Sequence, residues 1–177
     1  MWQLLLHVNF ISVTLTLVSF FLAALILAFL KIREHRYFSD FFKVAVFLSV
    51  PAYLYILVEP TGGWGEVGRH GANVNVIPWS PLSEGAGPNL FWETIALNSI
   101  IFVPLGIFSF LAFSGWGFRF LVGPVLSLCV EVLQGLLGTG RQSDINDLLA
   151  NSAGYFIGLA FVMVSLFALQ ELHEKKK

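Results

Sequence analysis

The sequence predicts an all-α, polytopic membrane protein, a five-transmembrane-helix bundle forming one domain over residues 1–177. Three observations point there. Hydrophobic residues make up 56% of the chain and charged residues only 12%, about half the charge of an ordinary soluble domain, with a mean hydropathy of +0.78. Five stretches are apolar enough, and near enough to the roughly 20 residues required, to cross a bilayer as helices. Lys and Arg also sort unevenly between the connecting segments, as they do in proteins inserted with a fixed orientation. The same composition excludes other classes. The 18 Phe and 5 Trp are far too apolar for a disordered chain, and the single Cys129 excludes a disulfide framework or a cysteine-based zinc site. A formal net charge of -1 supplies no basic field, so no nucleic-acid partner is expected.

The spans follow in order. Residues 8–30 are uncharged, no Lys or Arg precedes them, and basic residues follow, which reads as an uncleaved span with its N-terminus outside. A charged connector, Lys31 to Asp40, leads to the second span, 41–58, where Lys43 near one end can snorkel to the headgroups. The segment from Glu59 to Trp92 is long and rich in Gly and Pro, and its Trp64, Trp79 and Trp92 suit the membrane interface. Loops of that length are usually functional or disordered. The third span, 94–113, contains Pro104 and Gly106, expected to kink it. A tight turn with Gly115 and Gly117 leads to the fourth, 120–139, whose single charge is Glu131 and in which Cys129 reads as a buried, inert thiol. The fifth, 148–170, presents Gly154 and Gly158 as a small face for close helix contact.

Five spans put Lys31, Arg33, Arg36, Lys43, Arg119 and Lys175 to Lys177 on one side, against Arg69 and Arg141 on the other. That asymmetry sets the C-terminus in the cytoplasm. Most acids fall on the opposite, outer side, including Glu59, Glu66, Glu84, Glu93, Asp144 and Asp147.

Depths derived from a rise of about 1.5 Å per residue bring polar groups of three spans together in the outer leaflet. Glu131 lies about 18 Å beyond Arg119, and Gln134 is one turn further on the same face. Asn98 is about 8 Å below Glu93, and Asn151 is one turn below Asp147. Above them lies the connector Gly138 to Asp147, in which Asp144 or Ser143 caps the fifth span. An ionisable side chain in a span costs about 2.5–3.5 kcal/mol at the centre, so Glu131 needs an interior position and a partner, or a proton. Arg141 reaches it only if its loop folds back into the bundle. The bland alternative is a polar clamp between helices, because Asn and Gln side chains hold helices together in lipid. His70, in the glycine-rich outer segment, reads as a solvated histidine.

These residues resemble the VanZ-like family of bacterial membrane proteins. Asn98, Phe102, Pro104 and Gly106 match the family's Asn-x-x-x-Phe-x-Pro-x-Gly span. Glu131 and Gln134, Gly140-Arg141, Asp144 and Asp147, and Asn151 and Gly154 match its Glu-x-x-Gln, Gly-Arg, Asp-x-x-Asp and Asn-x-x-Gly series, and Gly158 extends it. Asn75-Val76-Ile77-Pro78-Trp79 is a weaker match to Asn-Leu-Ile-Pro-Phe. The resemblance implies a multi-pass protein of the bacterial inner membrane and cell envelope, in a family named for a member linked to teicoplanin resistance.

The expected function is recognition of a lipid-linked or cell-envelope ligand by Asn98, Glu131, Gln134, Arg141, Asp144, Asp147 and Asn151, with membrane lipids as partners. Glu131 and Asp147 are the candidate general bases if chemistry occurs, since a desolvated carboxylate becomes a stronger base. No cofactor and no metal are expected, although three carboxylates could suit a hard cation. Two other readings stand beside this one. One is a small transporter or flippase component, which needs a homo-oligomer to form a pathway. The other is a scaffold within an envelope protein complex.

Overall fold

The computed structural model describes residues 38–60, 62–79, 88–138 and 140–175. Among these, four long helices run in the order expected for spans two to five: α1 (Phe38–Val58), α2 (Pro88–Ala112), α3 (Trp116–Leu137) and α4 (Ile145–Glu174). They hold 21, 25, 22 and 30 residues, which at about 1.5 Å each gives roughly 30–45 Å, enough to cross the hydrocarbon layer. All four are apolar enough to do so. The span expected at 8–30, with its external N-terminus, lies outside the described residues.

Each helix begins three to six residues before the span expected from hydropathy. Hydropathy marks the apolar stretch, whereas the helix itself extends into the flanking polar and aromatic residues. Pro88 opens α2, a position where its missing N–H costs nothing. Asp144 caps α4, its side chain accepting from the Asn146 N–H. The turn between α2 and α3 shrinks accordingly, with Gly115 as the residue before α3.

The bundle is organised by close approach of α2 and α4, its most extensive helix pair, with α1 against α2 and α3 against α4. Glycines permit it. A Cβ on Gly154 would collide with the Ser99 carbonyl, one on Gly158 with the Val103 carbonyl, and one on Gly106 with the Tyr155 carbonyl. Lipid tails are as apolar as leucine, so such backbone contact, rather than hydrophobic burial, holds membrane helices together. Gly106 therefore serves this helix contact, and Pro104 lies within an uninterrupted α2. Hydrogen bonds add to the pairings. Ser99 Oγ donates to the Ala150 carbonyl (3.0 Å), Ser39 Oγ to Ala112 (2.7 Å) and Tyr53 Oη to Ile101 (2.5 Å). Gly123 leaves space for the Tyr155 ring, whose hydroxyl donates to the Arg119 carbonyl (2.6 Å). Phe102, Leu105, Val130 and Tyr155 form the buried centre.

Helix α3 shows two faces. Gly123, Leu126, Ser127, Val130, Glu131 and Gln134 turn inward, while Leu121, Val125, Leu128, Val132 and Leu136 are exposed as a lipid-facing stripe. Cys129 is exposed with that stripe, not buried as expected. The correction has a simple cause: where lipid is as apolar as the core, an apolar residue carries no signal of which way it faces. At the other end of α3, Arg119 Nε donates to the Phe113 carbonyl, and its guanidinium lies 4.1 Å from the Phe110 ring centroid and 5.1 Å from that of Trp116.

The long segment after α1 is folded over the described residues 62–79. A 3-10 turn spans Trp64–Glu66, and the Gly68 N–H donates to the Leu137 carbonyl (2.9 Å) at the end of α3. Gly138 closes that helix in the left-handed conformation (φ 54), with the His70 carbonyl packed where a Cβ would stand. The His70 residue itself is exposed. Strand β1 (Val74–Asn75) then pairs in parallel with β2 (Ser143–Asp144), in the register Val74 to Ser143 and Asn75 to Asp144.

Replacing Gly154 by Val should destabilise the protein by about 1–3 kcal/mol or more, through overpacking against α2. Leu128→Ala, on the lipid-facing stripe, should stay within about 0.5 kcal/mol. Thermal unfolding of both variants in one detergent checks this; equal shifts would contradict the assigned faces.

Candidate functional site

Polar groups of α2, α3 and α4 come together where α3 ends and α4 begins. Glu131, one of the inward residues of α3, is only 6% exposed. Its Oε2 accepts the backbone N–H of Asp144 (2.7 Å), and the Ser143 side chain adds a second hydrogen bond. Asp144 is fully enclosed at 1% exposure, and its Oδ1 does double duty. It accepts the Asn146 N–H (2.8 Å), which caps α4, and the Asn75 side-chain amide (3.1 Å), which extends the β1–β2 pairing. Asn146, also buried, accepts the Trp79 N–H on Oδ1 (2.7 Å). Trp79 sits at φ 62, a left-handed conformation that a bulky residue adopts only when its surroundings impose it.

A second set of contacts ties in α1. The last carbonyls of a helix have no internal partner and mark the negative end of its dipole. Here the Leu57 carbonyl, in the final turn of α1, accepts both Gln134 Nε2 (2.7 Å) and Arg141 Nη1 (2.5 Å). The Arg141 loop therefore does fold back into the bundle, and its guanidinium feels the carboxylates of Asp147, Glu59 and Glu131. Burial pulls that guanidinium below its ordinary pKa, and the three carboxylates oppose the shift.

The remaining residues complete the cluster. Asp147, in the first turn of α4, hydrogen-bonds with the Asn98 side chain of α2 and lies within the electrostatic reach of Asp144 and Arg141. One turn further along α4, Asn151 donates through Nδ2 to Ser127 Oγ on α3 (3.0 Å). Contacts or close electrostatic approach tie Asn98, Glu131, Arg141, Asp144 and Asp147 together, Gln134 shares the Leu57 carbonyl with Arg141, and Asn151 joins through its place one turn beyond Asp147. Asp144, not Ser143, provides the helix cap.

Asn75, Ser127, Ser143, Asn146 and the Leu57 carbonyl join these residues without having been singled out as site members. Ser127 was readable, since it stands one helical turn before Glu131 on the same face. Asn146 lies inside the Asp-x-x-Asp run. The Leu57 carbonyl leaves no trace in side-chain chemistry, so no motif could have flagged it.

Chemically, the cluster is short of donors. Gln134 Oε1, Asp144 Oδ2, Asp147 Oδ1 and Asn151 Oδ1 are buried acceptor atoms with no hydrogen-bond partner. Because Gln134 and Asn151 spend their amide nitrogens on Leu57 and Ser127, the free ends of both are oxygens. Among the described residues, no group of three or more His, Cys, Asp or Glu is arranged to hold a metal ion.

A family model described as VanZ/LLP1 matches residues 44–167 of the chain. The chain belongs to the VanZ/LLP1 family. The match takes in most of α1, all of α2 and α3, and about the first three quarters of α4, so the polar cluster lies wholly within the VanZ/LLP1 region. No curated protein and no solved structure shows significant similarity to the chain.

Replacing Glu131 by Gln keeps an acceptor for the Asp144 N–H, whereas Leu leaves that buried amide unpaired. The Leu variant should lose about 1–3 kcal/mol more stability than the Gln variant, the cost of an unmade buried hydrogen bond. Parallel thermal melts check the ranking, and equal losses would mean that the Glu131–Asp144 bond contributes little.

Proposed function

We propose that this VanZ/LLP1 protein is a multi-pass protein of the bacterial inner membrane that recognises a lipid-linked or cell-envelope ligand from the outer leaflet. In this reading Asn98, Glu131, Gln134, Arg141, Asp144, Asp147 and Asn151 form the binding site. The chain crosses the membrane five times, with its N-terminus outside and its C-terminus in the cytoplasm. The observation that carries the proposal is the set of four unpartnered acceptor oxygens in one buried cluster. Buried polar atoms in folded proteins nearly always have partners, and each exception calls for one supplied from elsewhere. A cell-wall precursor is the kind of ligand through which such a protein would bear on teicoplanin susceptibility.

The roles divide by how each side chain is already engaged. Glu131 holds the start of α4, and Gln134 and Arg141 hold the end of α1, so part of each serves the framework. Asp147 keeps one oxygen unpartnered, so it is the better placed of the two candidate bases should the ligand be transformed. A purely scaffolding reading has its own support, since Glu131, Gln134, Arg141 and Asn151 each bond across from one element of the bundle to another. It accounts for the hydrogen bonds made but leaves the four oxygens without a purpose.

The two readings separate on Asp147→Asn, which preserves shape while changing charge. Ligand recognition predicts a lipid or envelope-precursor adduct on the purified wild-type protein that is lost, by about 10-fold or more, from a variant melting within a few degrees of wild type. Native mass spectrometry checks this, and an unchanged adduct pattern with a large drop in melting temperature would favour the scaffold. Orientation has its own check: a reporter fused after Lys177 should be active only as a cytoplasmic fusion, and one fused before Met1 only as an external one.

A further inference from the structure

We infer that the group bound in this cluster is a primary ammonium, the headgroup amine of a membrane lipid or of an envelope precursor. This rests on the proposed ligand-binding role and specifies its chemistry. Every unpartnered polar atom here is an acceptor: Gln134 Oε1, Asp144 Oδ2, Asp147 Oδ1 and Asn151 Oδ1. Gln134, Asp144 and Asn151 are each more than nine-tenths buried, at 5%, 1% and 2% exposure. Each of these oxygens therefore depends on a donor held inside the cluster.

Charge narrows the choice. The cluster holds three carboxyl groups, on Glu131, Asp144 and Asp147, for one guanidinium. That guanidinium already has one donor on the Leu57 carbonyl at the end of α1. A phosphate or carboxylate would meet unpaired oxygens and like charge, an arrangement costly in a low-dielectric site. An ammonium brings a positive charge and three N–H donors, enough for up to three of the four oxygens, and hydrogen bonds between charged partners are roughly twice as strong as neutral ones. A quaternary ammonium has the charge without the donors and leaves the oxygens unpaired. The acidic carboxyls, the amide oxygens and the burial all favour the same headgroup.

The test is native mass spectrometry of the full-length protein offered phosphatidylethanolamine, phosphatidylcholine or phosphatidylglycerol of matched chains. The inference predicts at least about 10-fold preference for phosphatidylethanolamine over phosphatidylcholine, the worth of a charge-assisted hydrogen bond. The preference should disappear in Asp147→Asn and in Asn151→Ala. Two variants are used so that a folding defect in one, read from its melting temperature, leaves the other informative, and Lys43→Gln at the distant start of α1 should keep the preference. Competition by free ethanolamine at concentrations comparable to the lipid would assign the site to a soluble amine; its failure to compete assigns the site to the lipid, and both support an ammonium. Equal binding of phosphatidylcholine, or a preference for phosphatidylglycerol, lost in both variants, would overturn the ammonium while keeping a ligand site. Adducts unaffected by either variant would overturn both.

Discussion

The hydrogen bond from the Asp144 backbone N–H to Glu131 is the contact on which the α3–α4 junction and everything joined to it depend. It joins the penultimate turn of α3 to the cap of α4 across the short connection between the two helices. A buried backbone amide needs a partner supplied by the protein itself. Glu131 answers that need at one residue, and the consequences spread. With Asp144 fixed, its side chain is free to cap α4 and to hold Asn75. The β1–β2 pairing follows, and with it the path of the outer segment.

The same constraint explains two arginines, Arg119 in the first turn of α3 and Arg141 just beyond its end. Helices α1 and α2 both end with carbonyls facing a membrane boundary, and each end receives a guanidinium, Arg141 at Leu57 and Arg119 at Phe113. Both side chains return from later parts of the chain to close an earlier helix. The bundle is thereby stitched at one end around Arg119 and at the other around Arg141. The glycine contacts between α2 and α4 hold the middle. At the Arg141 end the framework leaves four buried oxygens over.

What could be read from the sequence divides along a physical line. Helices are local, so the spans of α1 to α4 and the shared faces of Glu131 with Gln134, and of Asp147 with Asn151, followed from hydropathy and the helical period. Gly154 and Gly158 announced a close contact without naming α2 as its partner. The β1–β2 pairing joins residues about seventy positions apart through single-residue contacts, and nothing local encodes it. The Leu57 carbonyl became important because α1 happens to end beside α3. Cys129 was misread because both sides of a membrane helix are apolar, which erases the contrast that betrays a core face in water. Polar residues carry the reverse signal, and for that reason Asn98, Asp147 and Asn151 were legible as interior groups.

The most direct measurement is amide hydrogen exchange at Ser143 to Asn146, followed by NMR on the protein in lipid nanodiscs. If the Asp144 N–H is buried and bonded to Glu131, it exchanges only on global or near-global opening and ranks with the slowest amides of α4. Exchange of Asp144 as fast as the exposed residues around Gly71 would contradict the account, because the junction on which the outer site is built would then be open to water.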